Sequence, residues 1–358
     1  MERLDTKNKK WQSIYDEIKF KIGSGDYESG TIKIKDIIQK FSVSDITARR
    51  VLNELKKDGL VHSIRRKGTI ILGKEKIKDI YLIVKDENLI YKSPLNTQIF
   101  TRIVNGFNAS NFSKLFRKHI ISLDFLLSNK EQFKEKDIII FAEALLKVEK
   151  DKVEIDNEKI EQIKEFTPII IHAFGKIEDL NVVGTDYYSG FFNAVRYLFK
   201  NGCRKIGFIT GNINVCWYYP RFSGYIDGLK ECGLEIIPEL IKVTSGENPE
   251  EEKKAMEEMI KIKPDAIICA NDYRAIRVLE WCNENKIKVP DDISIIGFDN
   301  INETKFTNPP LTTIDSKLEL YGETVFKLFM KRKNNERVVD VFIKPEIIER
   351  ESVKGVKL

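Results

Sequence analysis

Between Ser44 and Thr69 the chain sets a helix, a stop and a basic turn in immediate succession, an order that few folds accommodate. Ala48, Val51, Leu52 and Leu55 recur at helical spacing and predict one buried stripe, leaving Thr47, Arg49, Arg50 and Asn53 to face outward. Ser44 is the expected N-cap and Gly59 the C-terminal stop. Leu60 to Ile64 and Thr69 to Leu72 read as two β-branched strands, joined by the turn Arg65-Arg66-Lys67-Gly68 with three cations at its tip. A helix carrying Arg-Arg and Lys-Lys is, by itself, an ordinary solvated face. Its surroundings change that reading. Trp11 to Ile22 places Ile14, Tyr15, Ile18 and Ile22 on one side of an amphipathic helix, and Ile34 to Phe41 makes a short second one. Three helices and a hairpin complete a winged helix-turn-helix, whose third helix enters the major groove of DNA.

Residues 9 to 72 resemble the DNA-binding domain of the GntR family of bacterial regulators. The matching residues are Gly25-Asp26-Tyr27, Gly30-Thr31, Phe41-Ser42-Val43-Ser44, Thr47-Ala48-Arg49-Arg50, Leu52, Leu55, Gly59-Leu60 and Lys67-Gly68-Thr69. Two departures matter. The family's Pro-Ser-x-Arg opening of the second helix is replaced by a shorter segment from Ile32 to Asp36, and Asp45 stands where the family commonly has Arg. Asp45 suits the positive N-terminal end of its helix, or alternatively accepts from a cytosine amine. On this resemblance Ser44, Thr47, Arg49, Arg50, Arg65, Arg66, Lys67, Gly68 and Thr69 are the expected DNA-contacting set, the cations on phosphates and Thr47 and Gly68 near base edges.

Charge supports a separate DNA-binding end. Residues 1 to 78 hold 19 Lys and Arg against 11 Asp and Glu, a net of +8, so the remaining residues carry −3 of the total +5. A length of 358 residues allows two or three compact units. The five cysteines are odd in number and contain no C-x-x-C pair, which predicts reduced thiols in a cytoplasmic protein. His62, His119 and His172 share no ligand spacing with them, so neither a metal nor another cofactor is expected. Apolar runs such as Ile138 to Ala142 are too short to span a bilayer, and no signal stretch opens the chain.

From Asp79 onward short Ile- and Val-rich runs alternate with amphipathic helical stretches, the α/β pattern of parallel strands and crossover helices. Strands are expected near Ile80 to Val84, Ile120 to Leu123, Ile138 to Phe141, Ile169 to His172, Val182 to Gly184, Ile206 to Ile209, Ala266 to Cys269 and Ile293 to Phe298. Helices fit Thr97 to Phe107, Tyr188 to Lys200, Arg221 to Cys232, Pro249 to Ile262 and Asp272 to Lys286.

This region resembles the sugar-sensing domain of the LacI family, a type I periplasmic-binding-protein fold. The resemblance rests on Val183-Gly184-Thr185-Asp186, the run Tyr197 to Ile209, Arg221-Phe222-Ser223-Gly224-Tyr225, Cys269-Ala270-Asn271-Asp272, the run Pro290 to Asp299, Pro309 to Ile314 and the tail Lys344 to Ser352. It implies two Rossmann-like parallel-sheet lobes joined by three crossings, with an effector between them. The expected division is a DNA-binding domain at 1–72, a linker at 73–78 and an effector domain at 79–358. Its first lobe takes about 79–181 and 315–335, and its second about 182–314 and 336–352.

Ligands of open α/β sheets bind at the carboxyl ends of the strands. By resemblance Arg221, Asn271 and Asp299 align with effector contacts, and their chemistry suits sugar hydroxyls. Trp217 and Phe306 are candidate platforms for a sugar ring, and Tyr91, Ser93 and Glu143 candidates for the opposite wall. Asn271 and Asp272 equally suit a helix cap, and Trp217 equally suits a core. No G-x-G-x-x-G follows a strand, and neither a G-x-S-x-G elbow nor a P-loop occurs, so an enzyme is not expected. The two resemblances together imply a transcriptional repressor, a homodimer on two-fold operator DNA that is released by a monosaccharide or sugar derivative. Their pairing resembles arabinose-responsive repressors. A partner protein, a non-sugar metabolite or a corepressor remains the alternative trigger.

Overall fold

The computed structural model describes residues 2–24, 31–58, 60–64, 68–71, 78–85, 94–110, 116–149, 152–246, 248–333 and 335–355. Arg65, Arg66, Lys67, Tyr91, Ser93, Gly59 and most of the expected linker lie outside these residues. The chain divides into two compact units, each described by itself.

The first unit holds α1 (Glu2–Ser24), β1 (Thr31–Ile32), α2 (Ile34–Phe41), α3 (Asp45–Lys57), β2 (Val61–Ile64) and β3 (Gly68–Ile71). The expected stripe is its core: Ala48, Val51, Leu52 and Leu55 pack on Ile14, Ile18, Ile22 and Ile37. α1 opens nine residues before the expected Trp11, because its polar leading turns carry no apolar period from which to read a start. The antiparallel β2–β3 wing is widened by β1, which pairs with β3 at Thr31↔Ile70 and Ile32↔Thr69.

The second unit, from Ile80 onward apart from 111–117, takes most of β4 (Lys78–Val84), then α4 (Pro94–Ala109), most of β5 (Phe116–Ser122), α5 (Leu123–Ser128) and β6 (Asp137–Phe141). A hairpin of β7 (Leu146–Glu149) and β8 (Lys152–Ile155) follows, then α6 (Asn157–Ile163), β9 (Ile169–Ala173) and β10 (Asn181–Thr185). The chain next forms α7 (Tyr187–Lys200), β11 (Ile206–Thr210), α8 (Tyr219–Glu231), β12 (Ile241–Val243), α9 (Pro249–Met259), β13 (Ala266–Cys269), α10 (Asp272–Glu284), β14 (Ser294–Phe298) and β15 (Thr312–Asp315). It closes with α11 (Leu320–Lys333), β16 (Val341–Ile343) and β17 (Glu346–Ile348).

Two six-stranded sheets result, ordered β16-β10-β9-β6-β4-β5 and β12-β11-β13-β14-β15-β17. Their inner strands are parallel and covered on both faces, which is why they read as unbroken apolar runs. In the second sheet Ile268 and Ile296 feed one core and Ile267 and Ile295 the other. β5 starts four residues before the expected Ile120, at a sheet edge that accommodates its Arg117 and Lys118.

The expected lobe boundaries need correction. β10 and β16, both assigned to the second lobe from sequence, are strands of the first lobe's sheet. The three crossings therefore fall at residues 185–187, 315–320 and 343–346. Two of them touch, as the Asp186 N–H donates to the Ile343 carbonyl at 2.9 Å. α4 and α11 pass so closely that a Cβ on Gly106 would lie 2.2 Å from the Glu319 carbonyl oxygen, a contact that only glycine permits. Among the described residues no helix is long and apolar enough to cross a membrane, and no group of three His, Cys, Asp or Glu could hold a metal.

Candidate functional site

The exposed face of α3 forms the first candidate surface. Ser44 caps the helix, its hydroxyl accepting from the Thr47 N–H at 3.3 Å, and the two hydroxyls lie 3.0 Å apart. Arg49 points outward but is not unengaged: its Nε donates to Asp45 Oδ2 at 2.6 Å. The Asp45 carboxylate thus meets an arginine one turn along, in addition to standing at the positive end of the helix dipole. The Arg50 guanidinium lies over the Trp11 ring, 4.3 Å from its centroid, so its flat face rests on α1. Thr69 is buried, and its hydroxyl is 2.8 Å from that of Ser63 across the wing. Its side chain is thus committed within the wing. Gly68 opens β3, paired with Ile64.

The second candidate site is the cleft between the lobes of the second unit. Arg221, in the first turns of α8, is 7% exposed. Its Nη1 donates to the Ala270 carbonyl at 2.6 Å, and its guanidinium lies 4.7 Å from the Tyr187 ring centroid and 4.9 Å from that of Phe298. Its Nε is buried without a hydrogen-bond partner. Asp299 follows β14 at φ 109, a left-handed conformation costly for any residue with a Cβ. Burial pushes its carboxyl up to about 6, opposed by the nearby Arg221, His172 and Arg102.

The strained Asp299 loop is held from both sides. Asp272 accepts from the Ile301 N–H at 2.9 Å and from the Thr313 hydroxyl at 2.5 Å. From the first lobe, Arg102 on α4 donates to the Asp299 carbonyl, to Asp315 at 2.7 Å and to Glu319 at 2.6 and 2.8 Å. One turn earlier, Gln98 donates to Glu303 at 2.8 Å. Residues 98 and 102 thus grip the loop from one helix face.

Glu143, in the short helical turn Ala142–Leu145 after β6, forms the opposite wall. One of its oxygens meets His172 Nδ1, and the other is buried without a partner. His172 Nε2 is 3.3 Å from the Tyr187 hydroxyl, which links first-lobe Glu143 to the start of α7. A bulge sets this geometry: between Val183 and Gly184 the register skips His172, which adopts φ 55. Trp217 closes one side, its ring 5.5 Å from that of Phe174 and 5.9 Å from that of Tyr218.

The cleft therefore brings together Arg221, Asp299, Glu143 and Trp217 of the expected set. Asn271 is nearby, but its side-chain oxygen caps α10, accepting from the Arg274 N–H at 3.0 Å. The capping role falls to Asn271, and Asp272 is a buried brace rather than a cap. Phe306, at the end of the short helical turn Asn302–Lys305, is 84% exposed. Residues not anticipated include His172, Tyr187, Phe174 and Arg102. His172 carried one usable signal, a polar residue at the carboxyl end of an apolar strand. Arg102 carried none, being one cation on an amphipathic helix.

Residues 10–71 match the gntR family of bacterial regulatory proteins, and residues 195–353 match a periplasmic binding protein-like domain. The chain is 32% identical to the HTH-type transcriptional repressor PurR of Pasteurella multocida over 210 residues, 56% of this chain and 62% of that repressor. It is 33% identical to the HTH-type transcriptional repressor CytR of Escherichia coli over 184 residues, half of this chain and 53% of that protein. The chain thus spans less than two thirds of the length of these relatives. Among solved structures it resembles a transcriptional regulator CelR–cellobiose complex, with a TM-score of 0.62 and 20% identity over 87% of this chain and 91% of that one. A LacI family regulator from Enterococcus faecium with bound ribose gives a TM-score of 0.60 at 20% identity, over 78% of this chain and all of that one. These two likenesses establish a shared fold.

Proposed function

We propose, from a chain that joins a gntR-family DNA-binding domain to a periplasmic binding protein-like domain, that it is a transcriptional repressor released from its operator by a monosaccharide or sugar derivative. The observation that carries this reading is the pair of buried, unpartnered polar atoms in the cleft, Arg221 Nε and Glu143 Oε2. Buried polar groups are almost always hydrogen-bonded, so a donor and an acceptor left on opposite lobes favour a ligand that offers both. Hydroxyl groups do.

On DNA, Arg49 and Arg50 neutralise phosphates while Thr47 and the Gly68 wing approach base edges, with Arg65, Arg66 and Lys67 extending the contact from the turn. A homodimer on a roughly two-fold operator supplies two such helices. The sugar fastens Glu143 of one lobe to Arg221 and Asp299 of the other, favouring a closed arrangement that releases DNA. Coupling is reciprocal, so operator DNA weakens sugar binding by the same factor.

A thermal-shift panel of monosaccharides at millimolar concentration first identifies the effector. Fluorescence anisotropy on a duplex selected from a random pool then measures operator affinity with and without it. Release by the sugar supports the reading. Unchanged affinity at saturating sugar sinks it, and tighter binding makes the ligand a corepressor.

A further inference from the structure

We propose that Ile46 reads a base: its side chain packs on the C5 methyl of a thymine in the major groove, so that each operator half-site must carry a T·A pair at that position. The inference rests on the DNA-binding reading above and adds a specificity that the charged residues of α3 do not supply.

Among the described residues of the first unit, Ile46 is the most exposed large apolar side chain at 80%, ahead of Phe20 at 72%. Its place on the helix gives this exposure its meaning. Ala48, Val51, Leu52 and Leu55 occupy the core side of α3, and at about 100° per residue Ile46 comes out on the opposite side. Arg49, Arg50 and Asn53 continue the same exposed face along the helix. Ile46 is the second residue of α3 and so leads that face from the first turn. A lone apolar residue elsewhere on a surface needs no explanation. In the first turn of a helix set into the major groove, it stands where base edges are touched.

An isoleucine here answers no local need. β-branched residues are weak helix formers, and a side chain left in water adds no burial to the fold. The polar side chains around it, by contrast, have contacts within the unit. The Ser44 and Thr47 hydroxyls meet at the cap, Arg49 donates to Asp45, and the Arg50 guanidinium rests on the Trp11 ring.

The groove offers an aliphatic side chain one match. Base edges there carry hydrogen-bond donors and acceptors and a single apolar group, the methyl of thymine. Packing Ile46 on that methyl withdraws both from water and favours thymine over its unmethylated equivalent by ~3–5-fold per contact. A purine in the same place would have polar edge atoms covered with no hydrogen bond in return. Cytosine lacks the methyl.

Deoxyuridine, which pairs as thymine does and lacks only the methyl, supplies the test. The duplex selected from a random pool is resynthesised with each thymine in turn replaced by deoxyuridine, in both half-sites together. Anisotropy titration of the unaltered full chain should find one symmetry-related pair of thymines whose replacement weakens binding ~10–20-fold, the single-contact factor taken twice. Ile46→Ala should lose ~10–20-fold on the thymine duplex and become indifferent to uracil at that pair, with its salt dependence unchanged. Its melting temperature should not fall, because the side chain removed is exposed and alanine is the better helix former. Tight binding that no uracil replacement weakens by more than about 2-fold overturns the inference and leaves DNA binding standing. A selected duplex with no thymine in either half-site does the same. So does an Ile46→Ala protein that still tells thymine from uracil at the critical pair, since the methyl then belongs to another side chain. A protein that retains no duplex from the pool even at low salt removes DNA binding and the inference with it.

Discussion

In α3 Arg49 meets Asp45 with side chains 61% and 53% exposed, whereas in the second lobe Arg274 meets Glu252 at 2% and 1%. The same pairing of types serves opposite ends. A solvated pair is held weakly and, on the proposed function, can exchange the carboxylate for a phosphate oxygen of DNA. The buried pair has nothing to exchange with. Arg274 also donates to the Thr244 hydroxyl at 3.0 Å and to the Tyr218 hydroxyl at 3.2 Å, and Glu252 accepts from Arg277 at 3.1 Å. Tyr218 lies between this network and Arg221, whose guanidinium is 5.6 Å from its ring centroid. The buried ions thus fix a wall of the cleft, and the exposed ones remain available to a partner.

The largest effect is expected from Glu252→Ala, which strands Arg274 without its carboxylate and should destabilise the second lobe by about 3–5 kcal/mol. Urea unfolding followed by tryptophan fluorescence measures it, and a loss under about 1 kcal/mol would show the two charges to be solvated after all. Asp299→Asn comes next. Burial raises this carboxyl from its ordinary range to about 6. A raised acid favours folding while both states are protonated and loses that contribution as pH climbs through the folded value. At pH 8 the ionised Asp299 therefore costs the folded state on the order of 3 kcal/mol, a cost absent below about pH 4. Asp299→Asn should accordingly melt above the unaltered protein at pH 8 and with it at pH 4, while losing the sugar-induced shift. Parallel melting at every pH would mean that the carboxyl is not held against its preference.

These two regions also differ in how much of them could be read in advance. The stripe of α3 and its Ser44 cap follow from spacing and residue type, because local geometry alone decides them. Asp299 and Arg221 stand at strand ends and helix starts that the α/β pattern locates. His172 was different: its entry into the cleft depends on a bulge of one residue, created by pairing with β10, and pairing register is not a property of the strand's own composition. The β7–β8 hairpin hid for another reason. Its Lys147, Lys152 and Glu154 resemble a solvated loop, and its contact with the second lobe forms only where Val153 meets Val215.

Arg49→Ala should cut operator affinity by roughly 10-fold or more and lower the salt dependence by about one counterion, with the sugar-induced melting shift unchanged. Anisotropy titrations at several salt concentrations check this, and normal binding would remove α3 from the interface. The smallest effect, and the most instructive, belongs to Asp45→Ala. An exposed pair contributes little to folding, so the melting temperature should not move resolvably. Operator affinity should instead rise by ~2–5-fold at low salt, because a negative charge leaves the phosphate-facing surface and Arg49 no longer has to release a carboxylate before binding. A fall in affinity confined to particular operator bases would reverse the assignment. It would make Asp45 a reader of cytosine, or a brace holding Arg49 toward a guanine, and the exposed pair would then be as fixed in its work as the buried one.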